Sequence, residues 1–301
     1  MRTRVPPDLD GERADRVVAV LAGCSRSTAR GLVADGTATF DGVRVAPKQA
    51  IPAGAALDVV VPEDPGLQPE EIPFEVLYED RWLAVIDKPA GVVVHPGAGR
   101  SRGTLAAGIL ARWPRVRGVG DEDRWGIVHR LDRDTSGLLL VGLEAEAFAG
   151  LRTAVAQRRV TRTYRALVEG RVGSPTGTID APIGRDPNRP TRFRVEPGGR
   201  AARTHYRRLA VWEPPGVSLV DVELETGRTH QIRVHMSAIG HPVVADPVYG
   251  RGMAARRIWL HAVGLEFDHP ITGARIEVES PIPDDLQTAL QDLGEPEPEP
   301  E

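Results

Sequence analysis

Residues 126–142, GIVHRLDRDTSGLLLVG, place a polar segment between two apolar runs. Ile127 and Val128 precede this segment and residues 138–141 follow it, so the pattern predicts a loop mounted between two strands. Catalytic side chains commonly sit on such loops, and Asp132 is the candidate here. Because Asp, Thr, Ser and Gly also build Asx turns, a purely structural turn is the alternative interpretation.

A second polar cluster lies in residues 223–236, ELETGRTHQIRVHM. The pattern predicts a strand that ends near Thr226 and a helix that begins around Thr229. Helix starts favour anions, so cationic side chains at this junction suit a phosphate or a carboxylate. The candidate binding residues are Arg228, His230, Gln231 and Arg233.

Residues 74–288 read mostly as strands, with helical spacing in residues 145–159 and 230–240. Strands joined mainly by turns, with few helices, predict an α+β domain with a mainly antiparallel mixed sheet. Tyr164 falls on one such strand, where a tyrosine more often packs than catalyses. The predicted strands are residues 74–80, 83–89, 91–97, 126–132, 137–144, 162–170, 204–212, 218–227, 258–267 and 274–281.

The amino-terminal segment, residues 9–61, predicts a small unit of two helices, a hairpin and a strand. Apolar residues at helical spacing end at Gly23, Ser25 is a plausible N-cap for a second helix, and Asp41-Gly42 is a preferred hairpin turn. The second helix carries Arg26 and Arg30 on a polar face. We expect a linker at residues 62–73, rich in Pro and acid, and a disordered acidic tail at residues 289–301.

The net charge of −4 argues against a nucleic-acid partner until it is divided by region. The last ten residues hold five acids and no base, so the other 291 residues carry one net positive charge. Residues 185–208 contain eight arginines against two acids. The net charge therefore conceals a concentrated arginine segment, in which Arg192 and Arg194 are candidate contacts for a phosphate backbone, and binding through them should weaken with salt.

The cysteine content and the apolar runs limit the class of protein. A single cysteine, Cys24, permits neither an intramolecular disulfide nor a thiolate zinc cluster, which suits a reducing cytoplasm. No run of about 18 apolar residues predicts a membrane span, and the polar start does not resemble a signal peptide. We expect a cytoplasmic, monomeric protein that needs neither a metal nor a redox cofactor.

Two resemblances follow from these motifs. Residues 9–61 resemble the S4 RNA-binding domain, an α/β-hairpin module. HRLDRDTSG (129–137) resembles the RluA/RluD family of RNA pseudouridine synthases, as do DKPAGVVVHPG (87–97), PIGRDPNRPTRF (182–193), ETGRTHQIRVHM (225–236) and HPVVADPVYG (241–250). The resemblance spans about residues 72–282 in the family's order, and an S4-like module in front is a frequent family arrangement.

The resemblance implies an isomerase that converts uridine in RNA to pseudouridine. It implies that Asp132 is the catalytic aspartate, that Tyr164 stacks on the uracil, and that Arg233 is the ionic partner of Asp132. It also implies that Arg130 enters the space left by the flipped nucleotide. The RluD branch is the most similar, which implies large-subunit (23S) ribosomal RNA as the substrate, without indicating which uridine.

Physical chemistry is consistent with these roles. The uracil must leave the RNA stack before it can be detached and turned, and a pocket offsets an unstacking cost of a few kcal/mol. Burial drives a carboxylate toward its neutral form, and a nearby guanidinium favours the charged form. An ionised Asp132 could attack C1′ or assist glycosidic cleavage there, or could add to C6 of the uracil, before the base is rejoined through C5.

Three alternatives compete with this interpretation. Asp132 and Asp134 resemble the Asp-x-Asp pair of magnesium-dependent phosphotransferases, but His129 and Arg130 interrupt the hydrophobic run that normally precedes it. A metal site built from histidines is the second alternative. His230 and His235 are five residues apart, so they would lie about 140° apart on a helix and would be a poor chelating pair. A non-catalytic RNA-binding protein is the third alternative.

Overall fold

The computed structural model describes residues 1–61, 66–96, 102–121, 124–189, 191–253 and 255–297. These residues divide into two compact units. Unit 1 contains residues 1–61 and Gly66, and unit 2 contains the described residues from Leu67 onward. No single helix among the described residues is long and apolar enough to cross a membrane, and the helices Ala14–Leu21 and Arg26–Ala34 pass that test only as a pair bent by 119°.

Unit 1 is built from two helices and two small sheets around one core. Strand β5 pairs with β1 on one side and β3 on the other, and β2 pairs with β4, all antiparallel. Because β1 completes the first sheet, the unit begins at the amino terminus and not at residue 9 as predicted. The elements are β1 (Arg2–Arg4), β2 (Glu12–Arg13), α1 (Ala14–Leu21), α2 (Arg26–Ala34), β3 (Ala38–Phe40), β4 (Ala50–Ile51) and β5 (Ala56–Val59).

The local signals predicted in unit 1 are confirmed. Helix α1 ends before Gly23, which has a positive φ of 63°. The Ser25 side chain accepts a hydrogen bond from the Thr28 amide and caps α2. Asp41 and Gly42 both have positive φ, as a two-residue hairpin turn of type I′ requires.

Unit 2 is a mixed α/β structure around one large mixed sheet. Nine strands pair in the order β10-β13-β14-β9-β15-β8-β7-β6, with β16 added on β15. Among the pairings between the described strands, the short β8–β15 pairing alone is parallel, and β11 and β12 form a separate hairpin. The elements are β6 (Glu75–Glu79), β7 (Leu83–Lys88), α3 (Leu105–Arg112), β8 (Ser136–Gly142), α4 (Ala145–Ala156), β9 (Thr161–Glu169), β10 (Thr176–Asp180), β11 (Ile183–Arg185), β12 (Phe193–Val195), β13 (Arg203–Trp212), β14 (Val217–Leu224), α5 (Gln231–Ala238), β15 (Leu260–Asp268), β16 (Arg275–Glu279) and α6 (Asp284–Gln291).

Two predicted strands are absent from the described residues. The valine-rich run 91–96 is a turn whose Val93 and Val94 carbonyls accept hydrogen bonds from the first amides of α3. Residues 126–132 form a loop with a single bridge between Ile127 and Val141. Both segments were predicted as strands from their apolar residues alone. In residues 91–96, however, the backbone carbonyls of Val93 and Val94 bond to the first amides of α3 and not to a neighbouring strand.

The predicted segment boundaries also change. Residues 62–65 of the expected linker lie outside the described residues, whereas Leu67 is buried in the core of unit 2. The first residues of the tail predicted to be disordered from residue 289 are instead folded, because α6 extends to Gln291 and Leu293 packs on a hydrophobic cluster. Trp212 Nε1 donates to the Gly294 carbonyl at 2.9 Å, and residues 298–301 lie outside the described residues.

Gly137 lies where the Asp132 loop joins β8, and its backbone has φ of 114°. A Cβ at this position would lie 2.3 Å from the Ala262 carbonyl oxygen of β15. We therefore expect Gly137→Ala to lower the free energy of unfolding by on the order of 3 kcal/mol, measured by urea denaturation. Gly173→Ala is the control, since Gly173 has an ordinary φ and open space around it. Equal stability of the two variants would contradict the expectation.

Candidate active site

The loop that carries Asp132 is fastened by a buried lysine. Lys88 is fully buried, and its Nζ donates to the carbonyl oxygens of Pro89, Val92 and Arg133 at 2.8, 3.0 and 3.0 Å. Burial lowers the pKa of Lys88 to about 8, although the charges of Asp134 and Asp132 oppose the shift. Lys88 therefore ties the end of β7 to the loop, and sequence analysis assigned it no role.

The start of helix α5 places the second set of predicted residues. The helix begins at Gln231, two residues after the predicted Thr229. In the Gln231 side chain, Oε1 accepts from Thr226 Oγ1 and the Arg228 backbone amide, and Nε2 donates to the Arg203 backbone carbonyl and Thr204 Oγ1. The buried side-chain amide of Gln231 is therefore engaged within the chain, and an RNA contact by Gln231 stays a prediction.

Arg233 joins two aspartates. Its Nη1 donates to Asp132 Oδ2 at 2.9 Å, and its Nε and Nη2 form a two-pronged pair with Asp246 at 2.7 and 2.9 Å. Burial alone would lower the pKa of Arg233, but the bonds and charges of the two aspartates raise it above its usual value. The predicted pairing of Asp132 with Arg233 is thus present, and the guanidinium is fixed in one orientation.

Asp246 is the member of this group that sequence analysis missed. Its side chain is fully buried, and Oδ1 also accepts from the Val248 and Tyr249 amides. Burial raises the pKa of Asp246, but the bonds and charge of Arg233 and the two amides hold it below its usual value. The sequence did contain a signal for Asp246, because it is an acid within the apolar run 242–249 and a buried acid needs a partner.

Asp132 and Arg233 line a cavity of about 400 Å³ in unit 2, whereas Asp246 and Lys88 are not part of its lining. Tyr164 is buried in its wall, and burial raises the pKa of the phenol. Asp132 is about one-fifth exposed, so its carboxylate is open to the cavity while its loop is packed. Of the predicted site residues, the cavity lining includes Arg130, Asp132, Tyr164, Arg228, His230, Gln231 and Arg233.

The other predicted RNA contacts lie outside this lining. The Arg192 guanidinium carbon lies 5.1 Å from the centre of the Tyr249 ring, and Arg194 forms an ion pair with Glu196. Acids of neighbouring strands neutralise further arginines of this segment, since Arg203 pairs with Asp180 and Arg207 pairs with Asp221. Arg26 and Arg30 are exposed on α2 of unit 1.

Two histidines near the Asp132 loop make stability depend on pH. Burial lowers the pKa of His129 to about 3 and that of His261 to about 4. At pH 5 these two histidines therefore bind about two more protons in the unfolded chain than in the folded chain, since a free histidine titrates near pH 6.5. We expect them to lower the free energy of unfolding by about 2.7 kcal/mol for each unit by which the pH is lowered around pH 5, measured by urea denaturation. His129→Gln should reduce the slope of unfolding free energy against pH by about 1.4 kcal/mol per pH unit, and an unchanged slope would contradict this expectation.

His235 does not share the position of His230. Its ring nitrogens contact Thr204 Oγ1 and the Ala181 carbonyl oxygen, each at 2.9 Å. His230 instead faces Asp132, with Nε2 at 3.9 Å from Oδ2. The two rings are therefore engaged by different parts of the chain.

Comparisons with known proteins point to one family. Residues 82–238 match the family described as RNA pseudouridylate synthase. An uncharacterized RNA pseudouridine synthase of Chloroflexus aurantiacus is 46% identical over 302 residues, which cover 96% of this chain and 92% of the relative. The ribosomal large subunit pseudouridine synthase D of Nitrosomonas europaea is 43% identical over 301 residues, which cover 95% of this chain and 86% of the relative. The solved structure of human RNA pseudouridylate synthase domain containing 1 matches with a TM-score of 0.58 and 29% identity, over 77% of this chain and all of that chain.

Proposed function

The chain belongs to the family of RNA pseudouridine synthases, and we propose that the cavity around Asp132 is where it isomerises uridine. The observation that carries the proposal is the line of charges from Asp132 through Arg233 to the buried Asp246. A guanidinium held on one side by a buried carboxylate keeps a fixed, charge-assisted hydrogen-bond donor on Asp132, which orients the Asp132 carboxylate.

The cavity suits a nucleotide that has left the RNA stack. Its volume of about 400 Å³ lies within the usual range for small-ligand pockets, and Tyr164 offers an aromatic wall to a uracil ring. Arg130 is exposed at the cavity lining, where it could occupy the space the nucleotide leaves. These contacts would offset part of the unstacking cost of a few kcal/mol.

The Asp132 carboxylate could react with the substrate in either of two ways. It could attack C1′ as the bond from C1′ to N1 breaks, or it could add to C6 of the uracil. In both, the same base is later rejoined to the ribose through C5, with C5 losing a proton and N1 gaining one. The atoms balance with the groups of the substrate and the chain, so the proposed reaction calls for no redox cofactor or metal.

The proposed substrate is large-subunit ribosomal RNA, and the proposed place of action is the cytoplasm. The support is the name of the Nitrosomonas europaea relative, whose match covers 95% of this chain. The test is a map of pseudouridines in cellular RNA with and without the gene for this chain. Loss of a pseudouridine from large-subunit RNA is expected, loss only from another RNA would move the substrate, and unchanged maps would overturn the function.

We also propose that unit 1 is an S4-like RNA-binding module. The support is its two helices and hairpin, with Arg26 and Arg30 exposed on α2. Phosphate contacts by such residues strengthen binding to all sequences and weaken with salt. A double Arg26→Ala and Arg30→Ala variant should bind RNA more weakly, with a shallower dependence of affinity on salt. Unchanged affinity and salt dependence would contradict the proposal.

A further inference from the structure

His230 has an unusual backbone and a prominent place in the cavity. It precedes helix α5 with φ of 59° and ψ of 22°, in the left-handed region, and its side chain caps no helix amide. Non-glycine residues held in this region cost free energy and cluster at functional sites. The conformation aims the ring into the cavity lining, where Nε2 lies 3.9 Å from Asp132 Oδ2.

Tyr249 determines which ring nitrogen of His230 carries the proton. The Tyr249 hydroxyl accepts a hydrogen bond from the Phe193 amide at 2.9 Å and lies 3.1 Å from His230 Nδ1. Among the described residues, Nδ1 is the acceptor within reach of the hydroxyl proton. A protonated Nδ1 would leave that buried proton without an acceptor, which is costly.

The imidazole is therefore held neutral with its proton on Nε2. Burial lowers the pKa of His230, although the charge of Asp132 opposes the shift. The Tyr249 hydroxyl belongs to a residue that is only 6% exposed, and burial raises its pKa, so it stays protonated at neutral pH. Among the described residues, the Nε2–H group then has no hydrogen-bond acceptor, because the distance of 3.9 Å to Asp132 Oδ2 is too long for a hydrogen bond.

On the basis of the proposed function, we infer that the Nε2–H group of His230 donates a hydrogen bond to a carbonyl oxygen of the flipped uracil, in a tautomer set by Tyr249. If the bond from C1′ to N1 breaks, its electron pair leaves with the uracil and spreads onto the ring carbonyl oxygens. If Asp132 adds to C6, the displaced electron pair reaches a carbonyl oxygen as well. A preorganised donor stabilises this charge in both routes.

Kinetics on matched variants test the donor. Asn places an amide where Nδ1 of His230 lies and tolerates left-handed backbone, whereas Gln reaches the position of Nε2. We expect His230→Asn to lower kcat by about 100-fold or more, with a much smaller change in KM, and His230→Gln to restore part of it. The control is His241→Asn, which can keep the hydrogen bond to the Glu169 carbonyl and should turn over like the unsubstituted protein.

The tautomer has a readout that does not depend on activity. In ¹⁵N-histidine-labelled protein, the signal absent from His230→Asn belongs to His230, and its shift reports which nitrogen is protonated. We expect an unprotonated Nδ1 in the unsubstituted protein and a mixture of tautomers in Tyr249→Phe. A protonated Nδ1 in the unsubstituted protein would overturn the assignment.

The outcomes distinguish a failure of the proposed function from a failure of the role inferred for His230. If the unsubstituted protein forms no pseudouridine in any cellular RNA, the proposed function fails independently of His230. If it is active and folded His230→Asn keeps its kcat, only the role of His230 is wrong. A loss of kcat that His230→Gln does not relieve, with an unchanged unfolding midpoint, would also contradict donation from Nε2.

Discussion

Asp132→Asn is expected to abolish pseudouridine formation and to leave RNA binding intact. The amide has nearly the shape of the carboxylate, so the loop fastened by Lys88 should keep its position. It lacks the negative charge that either route needs for attack on the substrate. We expect turnover to fall by at least about 10⁴-fold, measured as pseudouridine formed in an RNA transcript.

Asp134→Asn is the matched control for this change. Asp134 lies on the same loop, but its carboxylate pairs with the exposed Arg133 and does not line the cavity. We expect nearly full turnover from Asp134→Asn. Retained turnover in Asp132→Asn would remove Asp132 from the proposed reaction, and loss of RNA binding in that variant would point to a disturbed loop. Equal losses in both variants would instead show that the role assigned to Asp132 is not specific to its carboxylate.

Arg233→Ala is expected to reduce both stability and activity. It leaves the fully buried Asp246 without its partner and removes the donor from Asp132. Breaking a buried pair from one side costs about 3–5 kcal/mol, because a buried charge is left uncompensated. The measurements are the free energy of unfolding by urea denaturation and the rate of pseudouridine formation.

A double variant separates the two effects of Arg233. Arg233→Met with Asp246→Asn removes the buried charge pair from both sides, so much of the stability should return. Activity should not return, because Asp132 still lacks a guanidinium. Recovery of turnover in the double variant would show that Arg233 serves folding alone. Arg203→Ala, at an exposed pair with Asp180, is the control and should change stability little.

Much of the secondary structure of the fold follows from local sequence patterns. The alternation in β14, the helical spacing of α1, α4 and α5, and the Asp41-Gly42 turn were all predicted and are confirmed. Helix α3 was missed because six of its eight residues are buried, which removes the one-sided pattern that marks a surface helix. Residues 91–96 were misjudged because an apolar run reports burial and not the partner of its backbone.

The candidate site likewise contains some residues that sequence motifs identified and others that they did not. Asp132, Tyr164 and Arg233 were identified from motifs, and their catalytic roles stay predictions. Asp246, Lys88 and Tyr249 were assigned no role, since each acts through a contact that spans many residues of sequence. Gln231 shows the converse, because its side-chain amide lies beside the candidate site but is occupied by Thr226 of the preceding turn and by Arg203 of β13.

Residue types and their order were sufficient to identify the family, since motifs such as HRLDRDTSG are long enough to be distinctive. The charge division also came from sequence, because it requires only counting. The orientation of each charged side chain, and the partner that it contacts, could be read only from the tertiary structure. Coulomb energy and hydrogen bonds depend on distances of a few ångström, and those distances arise when residues as far apart as Asp132, Arg233 and Asp246 are packed together.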